Sequence, residues 1–307
     1  MILTITLNPC IDKSTTIDKL EPEAKLRCTE VVHEPGGGGI NVSKALDKLD
    51  CHSIALFPAG GHNGDMLCSL LRKTAIEFHA IPSEEETREN WVVKETGLNN
   101  QYRLTFPGRM VSEDTIRKLI DRMETFHPQY IVASGSLPPG LPDYFYGLIV
   151  EKAFSLGVKC VVDTSGPALK SLQNKNAFLI KPNRSELCKL LGVDHIEKEE
   201  IPDAAMQAAN EGFAEWIAVS MGPDGAWLVN KEERYYCNAP KVEKKSTVGA
   251  GDSMVAGITY MFSKGASPEE AIRFGVCCGS AATMNEGTQL FDQETVYALY
   301  KLTTKTT

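Results

Sequence analysis

Residues 246–254 read STVGAGDSM, in which three of the four residues before Asp252 have little or no side chain. Helical periodicity follows from residue 253 to 262, so the glycines fall at the N-terminus of a helix. The free N–H groups and the dipole of that helix would suit an anion, and Asp252 beside it could accept a proton from a nucleophilic hydroxyl. The same letters also fit an aspartate that caps a helix behind a glycine turn. The stretch by itself leaves both interpretations open.

A second glycine-rich stretch, EPGGGGINVSK, occupies residues 34–44. Four consecutive glycines lose much backbone entropy on folding and add nothing to a core, but they let a ligand reach main-chain N–H groups. A patterned helix starts at Ile40, which disfavours a flexible linker and favours a binding role. GAGDSM lacks the third glycine of a dinucleotide-binding fingerprint, and the chain has no P-loop motif.

Short apolar runs and helical patterns alternate along the chain, which predicts an α/β fold with a doubly wound, mostly parallel sheet and helices on both faces. The predicted strands are 2–7, 53–57, 130–134, 158–163, 177–180, 216–220, 225–230 and 234–239. The predicted helices are 40–49, 64–73, 112–126, 142–157 and 266–285. The last of these opens on a capping box formed by Ser267, Pro268 and Glu270. No linker is visible, so residues 1–307 are expected to form a single domain.

Two segments, 13–35 and 88–106, interrupt this alternation with short strand patterns. They predict either a small separate β-sheet lid or an extension of one edge of the main sheet. Their apolar side chains would need cover, which a partner chain could supply. These side chains are Trp91, Val92, Val93, Tyr102 and Leu104.

Composition excludes several classes of function. The chain has 307 residues, 42% of them hydrophobic, and a net charge of −8 without a basic face, which argues against nucleic-acid and membrane-surface binding. Nine cysteines without a C-x-x-C pair and scattered histidines indicate free thiols and no zinc motif. The N-terminus lacks the features of a signal peptide and no apolar run is long enough to span a membrane, so a cytoplasmic location is expected.

Several polar motifs follow predicted strands, where open α/β sheets bind ligands. KPNRSE (181–186) and VVDTSG (161–166) end two such strands, and NPCID (8–12) places Asp12 just after the first. In isolation, Glu186 fits an ordinary exposed helix glutamate better than a ligand residue, and Asp163 could be a helix cap. AKLRC (24–28) carries two cations that are either solvated loop charges or ligands of a phosphate.

The ordered set NPCID, PGGGGINVSK, GSLPPG, VDTSG, KPNRSE, SMGPDGA and STVGAGDSM resembles the ribokinase-like (PfkB) sugar kinases over essentially the whole chain. Within that family the sequence is most similar to the phosphosugar branch, and there to the minor-type 6-phosphofructokinases. The 1-phosphofructokinases and tagatose-6-phosphate kinases usually carry lysine at the third glycine of the run, where this chain has Gly38.

The resemblance implies roles for residues that match the family motifs. Catalysis would involve Asp252 as the base and the backbone of Gly249, Ala250 and Gly251. Substrate binding would involve Asp12, Lys25, Arg27, Gly37, Gly38, Gly39, Asn41, Arg88 and Ser136. ATP would be surrounded by Lys181, Asn183, Ser220, Gly222, Gly225, Ser246 and Thr247.

Metal sites and a partner are implied in the same way. Mg²⁺ would be organised by Glu186, through water, with help from Asp163. A monovalent cation, with K⁺ as the candidate, would take oxygens from Ser246, Val248, Ala282, Asn285 and Gly287. Gln289 departs from the arginine of the nearest relatives, which leaves the ion requirement open. In this branch two β lids clasp into a homodimer.

The resemblance therefore implies an ATP-dependent kinase that phosphorylates the 1-hydroxyl of fructose 6-phosphate. Tagatose-6-phosphate kinase and 1-phosphofructokinase are the near alternatives. A non-catalytic sugar-phosphate sensor with the same fold is the distant one, because a fold does not fix a function. The presence of Asp252, Glu186 and the open glycines argues against the sensor.

Overall fold

Apolar strands form the centre of the molecule, as shown by a computed structural model that describes residues 1–98, 100–285 and 289–303. The strands are β1 Ile2–Ile5, β2 Cys10–Ile17, β3 Val32–Gly36, β4 Ser53–Ala59, β5 Glu77–Pro82, β6 Arg88–Glu95, β7 Asn100–Thr105, β8 Tyr130–Ser134, β9 Lys159–Asp163, β10 Ala177–Ile180, β11 Ala214–Ser220, β12 Ala226–Val229 and β13 Arg234–Cys237. The helices are α1 Gly38–Asp47, α2 Gly61–Leu71, α3 Glu113–Arg122, α4 Phe145–Ser155, α5 Gly166–Lys170, α6 Arg184–Leu191, α7 Ile201–Asn210, α8 Ala250–Ser263, α9 Pro268–Thr283 and α10 Gln293–Thr303. Three short 3₁₀ helices cover Met123–Phe126, Lys198–Glu200 and Gly222–Asp224.

The main sheet has nine strands in the order β13-β12-β11-β10-β9-β8-β1-β4-β5. Its pairs are parallel except for the antiparallel pairs of β12 with β11 and β13. Successive residues of β1 point to opposite faces: Ile2 belongs to an apolar cluster with residues of α1, α8, α9 and α10, whereas Leu3 and Ile5 belong to a second cluster with residues of α3 to α7. The predicted doubly wound sheet with helices on both faces is confirmed.

The sequence pattern missed some peripheral elements. Strand β5, EFHAIP, lies at the edge of the sheet and is only partly buried, so it lacks a continuous apolar run. Helices α6, α7 and α10 were also not predicted. The capping box that was predicted at the start of α9 is confirmed, since Ser267 and Glu270 bond each other's backbone N–H.

A separate sheet of four strands, in the order β3-β2-β6-β7, lies beside the main one and is called the lid here. The alternative prediction, that these strands extend one edge of the main sheet, is therefore wrong. β2 begins at Cys10, so Asp12 lies inside a lid strand rather than in a loop after β1. Strands β2 and β6 run parallel, with Cys10 opposite Arg88 and Asp12 opposite Asn90.

The carboxyl ends of four neighbouring parallel strands carry polar residues. Ser134 and Asp163 end β8 and β9, Lys181 directly follows β10, and Ser220 ends β11. These ends meet at one edge of the sheet, beside the glycine run 36–39 that leads from the lid into α1. The fold thus places the predicted ligand motifs along a single crevice. Across the described residues, no helix combines the length and apolar character that crossing a bilayer requires.

Candidate active site

Asp252 is the third residue of α8, and the residue that precedes the helix is Gly249. The interpretation of Asp252 as the N-cap of this helix is therefore wrong, because Gly249 occupies the cap position. Asn41 Nδ2 donates to Asp252 Oδ2 at 3.0 Å, and Ser134 Oγ donates to Oδ1 at 3.3 Å. Each carboxylate oxygen is thus held by a donor from another element, one from α1 and one from β8.

The surroundings of Asp252 make it a better base than an exposed aspartate. Burial and, next, the negative charge of Asp163 raise the pKa of Asp252 to about 6. Hydrogen bonds from Asn41 and Ser134 and the charge of Lys181 act in the opposite direction and are outweighed. A carboxylate with this pKa is ionised at neutral pH and takes up a proton more readily than usual.

The glycine run lies between Asp252 and the lid without any intervening side chain. A Cβ at Gly36 would collide with the carboxylate of Asp12, and a Cβ at Gly38 would come within 2.7 Å of the backbone nitrogen of Gly135. The start of α1 therefore packs directly against the end of β8 at Gly38, where a side chain would have to displace Ser134 or Gly135.

A chain of hydrogen bonds joins three of the predicted sugar residues at the lid side of the crevice. Asn90 Nδ2 donates to Asp12 Oδ1 at 3.0 Å, and Arg88 NH1 donates to Asn90 Oδ1 at 2.9 Å. Arg88 Nε donates to the carbonyl of Asn8 at 3.2 Å, and Asn8 Nδ2 reaches Ser136 Oγ at 3.2 Å. Neither Asn8 nor Asn90 was among the predicted site residues: the NPCID motif was used only for Asp12, and Asn90 is a single amide in a strand pattern, which carries no sequence signal.

Lys25 and Arg27 lie in the segment between β2 and β3, and both side chains are exposed. Within the described part of the chain, neither makes a hydrogen bond or an ion pair. The structure therefore does not join these two predicted phosphate ligands to Asp12 and Arg88.

A buried cation faces the backbone of the GAGD stretch. Lys181 Nζ lies 3.2 Å from Asp163 Oδ1 and 3.5 Å from the position that a Cβ would take at Gly251. Burial by itself would lower the pKa of Lys181, but the carboxylates of Asp163 and Glu186 outweigh it and raise that pKa. A permanent positive charge therefore lies beside the N-terminus of α8, which strengthens that helix end as an anion site.

Asp163 and Glu186 supply two carboxylates near this lysine. Asp163 is not a helix cap, because Ser165 precedes α5. Glu186 forms an unpredicted capping box with Asn183: Asn183 N–H donates to Glu186 Oε2 at 2.8 Å, and Glu186 N–H donates to Asn183 Oδ1 at 2.9 Å. Among the described residues no cluster of three metal-binding side chains exists. Two carboxylates without a closed cage fit Mg²⁺, which usually keeps water and phosphate ligands.

An open cavity of about 300 Å³ adjoins the carboxyl ends of β10 and β11. Three of the predicted nucleotide residues line it, namely Asn183, Ser220 and Gly222. Gly225 is close by, since its N–H donates to the carbonyl of Gly222 at 3.1 Å. The cavity also holds a pair that was not predicted, Lys198 and Asp224, with Nζ and Oδ1 2.7 Å apart.

The lid also contacts the nucleotide side of the crevice. Arg103 NH2, on β7, donates to Thr247 Oγ1 at 3.0 Å, and no sequence motif marked this arginine. The single contact joins the lid to the stretch STVGAGDSM across 144 residues of sequence.

The segments of the predicted cation site lie side by side. The N–H groups of Lys245 and Ser246 donate to the carbonyl of Thr283 at 2.8 and 3.1 Å, and Asn285 Nδ2 donates to the carbonyl of Leu290 at 2.7 Å. Val248 and Ala282 belong to the same two segments, whereas Gly287 lies outside the described residues. The requirement for a monovalent cation stays a prediction.

Comparison with known proteins matches this architecture over nearly the whole chain. Residues 1–295 match the model of the pfkB family carbohydrate kinases. The chain is 40% identical over 301 residues to the ATP-dependent 6-phosphofructokinase isozyme 2 of Escherichia coli, which covers 97% of each chain. It is 34% identical over 300 residues to the 1-phosphofructokinase of Bacillus subtilis, which covers 96% of this chain and 97% of that one.

Solved structures also match this chain over nearly its whole length. The crystal structure of phosphofructokinase-2 from Escherichia coli in complex with potassium superposes with a TM-score of 0.95 at 39% identity and covers 99% of both chains. The chain therefore belongs to the PfkB family of carbohydrate kinases and is an ATP-dependent sugar kinase.

Proposed function

We propose that this kinase is a 6-phosphofructokinase, which transfers the γ-phosphoryl group of ATP to the 1-hydroxyl of fructose 6-phosphate and releases fructose 1,6-bisphosphate and ADP. The observation that carries this choice is the close approach of Gly38 to Gly135, which leaves no room for the lysine that the other phosphosugar groups usually carry there. The higher identity to the Escherichia coli 6-phosphofructokinase supports the same choice.

Asp252 takes the proton of the attacking hydroxyl in this proposal. Its oxygens are fixed by Asn41 and Ser134, so the carboxylate is already oriented before the substrate arrives. The N–H groups of Gly249, Ala250 and Gly251 at the start of α8, together with the ammonium of Lys181, stabilise the negative charge on the transferred group.

Asp12, Asn41, Ser136 and the backbone of residues 37–39 hold the sugar, and Arg88 attracts its phosphate. The hydrogen-bonded chain from Asp12 through Asn90 to Arg88 supports this division into a hydroxyl end and a phosphate end. Lys25 and Arg27 remain candidates for the phosphate, because exposed basic side chains are free to reorient toward an anion.

The nucleotide lies along the cavity of Asn183, Ser220 and Gly222, and its phosphates extend toward Lys181. Gly225, Ser246 and Thr247 are the further residues that we assign to ATP. Glu186 and Asp163 would hold Mg²⁺, which neutralises charge on the phosphates when it is bound. The potassium complex of the Escherichia coli relative supports a K⁺ site at Ser246, Val248, Ala282 and Asn285.

We further propose that residues 1–307 act as one kinase domain and that two chains associate through their lids. Exposed apolar side chains on and beside β7 support this association: Tyr102, Leu104 and Phe106 are 40%, 52% and 46% exposed. A chain that buries them against a second lid removes this apolar surface from water.

A second candidate is 1-phosphofructokinase activity, which the Bacillus subtilis relative favours at 34% identity. The test is kcat/KM with MgATP against fructose 6-phosphate, tagatose 6-phosphate, fructose 1-phosphate and fructose, in one coupled assay of ADP release. We expect a preference for fructose 6-phosphate of at least about tenfold, because the open glycine run replaces the lysine. A preference for fructose 1-phosphate or tagatose 6-phosphate would overturn the proposed substrate but not the proposed kinase activity.

The same assay includes Asp252→Asn, for which we expect kcat to fall by about 10³-fold with little change in KM for the sugar, since general bases contribute factors of this size. The matched control is Asp203→Asn, an exposed carboxylate that pairs with Arg234 on the surface. Unchanged kcat in Asp252→Asn would remove Asp252 as the base.

A further inference from the structure

The side-chain amide of Asn90 is bonded at both ends to groups of the proposed sugar site. Its Oδ1 accepts hydrogen bonds from Arg88 NH1 at 2.9 Å and from the N–H of Phe106 at 3.3 Å. Its Nδ2 donates to Asp12 Oδ1 at 3.0 Å and to Cys10 Sγ at 3.1 Å. Because donors face one end and acceptors the other, only one orientation of the amide satisfies all four contacts.

The strand register fixes this arrangement. Asp12 stands directly opposite Asn90 in the parallel ladder of β2 and β6, and Cys10 stands opposite Arg88. Arg88 and Asn90 are two residues apart on β6, so they share a face, whereas Glu89 points to the other face and pairs with Lys13.

The amide lies in a partly dry environment. Cys10 is 1% exposed, and burial raises the pKa of its thiol well above the ordinary value. Hydrogen bonds to charged groups are stronger where water is excluded, so these contacts restrict the side chains they join. Among the described residues, Asn90 Nδ2 and Cys10 Sγ donate hydrogen bonds to the Asp12 carboxylate, and both bonds go to Oδ1. This leaves Oδ2, beside Gly36, for a ligand hydroxyl.

We propose that Asn90 is a positioning residue that couples recognition of the sugar hydroxyl by Asp12 to recognition of the distal phosphate by Arg88. This inference rests on the proposed function, which assigns those two roles. A direct ion pair between Asp12 and Arg88 would satisfy each charge with the other. The neutral amide makes one hydrogen bond to each group, beside those that the carbonyls of Asn8 and Phe106 accept from Arg88, and it neutralises neither charge.

The test compares Asn90→Leu, which has a similar shape but no polar atoms, with the wild-type enzyme. We expect KM for the sugar phosphate to rise about 10- to 100-fold, because two hydrogen bonds to charged groups are lost. We expect kcat to change less than about threefold and KM for MgATP to stay constant, since Asp252 and Lys181 lie elsewhere in the crevice.

Asn90→Asp tests the donor end of the amide separately from the acceptor end. It keeps an acceptor for Arg88 but replaces the donor with a second carboxylate beside Asp12, so we expect KM to rise at least as much as in Asn90→Leu. The control is Glu89→Gln on the opposite face of β6, which disturbs the lid strand equally but not this network. Its KM for the sugar phosphate should stay within about threefold of wild type, and melting temperatures of all variants are compared.

A double-mutant cycle tests the coupling itself. Asp12→Asn and Arg88→Met should have non-additive effects on kcat/KM in the wild type and additive effects in the Asn90→Leu background. Additivity in both backgrounds, a KM change below about threefold in Asn90→Leu, or an equal loss in Glu89→Gln would overturn the proposal. If the wild type prefers a different sugar phosphate, the proposed substrate fails, and the same variants test Asn90 with the preferred one.

Discussion

At the scale of single residues, the basicity of Asp252 depends on opposing neighbours. Burial and Asp163 favour its protonated form, whereas Asn41, Lys181 and Ser134 favour the carboxylate. None of these five influences comes from the local sequence of Asp252. The motif supplies the acid, and its burial, two hydrogen bonds and two charges from other elements set the pH at which it ionises.

We expect kcat/KM for the sugar phosphate to fall tenfold per pH unit below about pH 6, because protonated Asp252, with a pKa of about 6, cannot accept a proton. Asp163→Asn removes a neighbouring negative charge, which should lower the pKa of Asp252 and move the acidic fall of kcat/KM, the acidic limb, to lower pH. Asn41→Leu removes a donor to the carboxylate and should move it to higher pH. A pH–rate profile from pH 5 to 9 at saturating MgATP measures the wild type and both variants; a wild-type kcat/KM that stays constant down to pH 5 would contradict the raised pKa.

At the scale of elements, the start of α8 depends on one glycine. Gly249 has φ +71°, a left-handed conformation that L-residues rarely adopt, and a Cβ there would collide with the side chain of Leu290. Leu290, which follows α9, therefore packs closely against this turn. Asp252 lies three residues further on, so the turn and the base move together.

Gly249→Ala should lower kcat at least tenfold, because relief of the collision shifts the turn and with it the N–H groups that hold the phosphoryl group. The matched control is Gly265→Ala, which has φ +75° and no atom within 4 Å of the added Cβ. Both variants should lose about 1 kcal/mol of stability from the left-handed conformation, measured by urea denaturation, but only Gly249→Ala should lose activity. Equal kcat in the two variants would contradict this role.

At the scale of the whole molecule, the lid leaves one entire strand exposed in a single chain. Every side chain of β7 is exposed, although the same strand reaches the nucleotide side through Arg103 and Thr247. The exposed lid strand gives a physical reason for a second chain to bind there. Such an association would also restrict the motion of the strands that carry Asp12 and Arg88.

Leu104→Glu should shift the protein from dimer to monomer, because it places a charge in the apolar lid surface that we assign to the interface. Sedimentation velocity over a range of protein concentrations measures the shift. The control is Phe154→Glu on α4, a side chain that is 85% exposed on the main domain and should leave the mass unchanged. A monomeric wild type, or a dimer that persists in Leu104→Glu, would contradict the lid interface.

The sequence by itself determined the layered α/β fold and the family. Apolar strand runs such as 130–134 and 177–180 agree with the structure to the residue, because strands covered on both faces are continuously apolar. The ordered glycine motifs identified the kinase family, and the Ser267 capping box was readable because all its partners lie within four residues. Local sequence patterns were sufficient to predict those features whose interacting residues are close in sequence.

Only the tertiary structure decided how the site is assembled. Asn41 reaches Asp252 across 211 residues, and Arg103 reaches Thr247 across 144. The helix-cap interpretation of Asp252 failed for the same reason, since its partners belong to α1 and β8 rather than to its own helix. Asn90 belongs to no motif, and only the register of β2 with β6 places it between Asp12 and Arg88. Strand pairing and helix packing fix such contacts, and a one-dimensional pattern contains no distances between residues far apart in the chain.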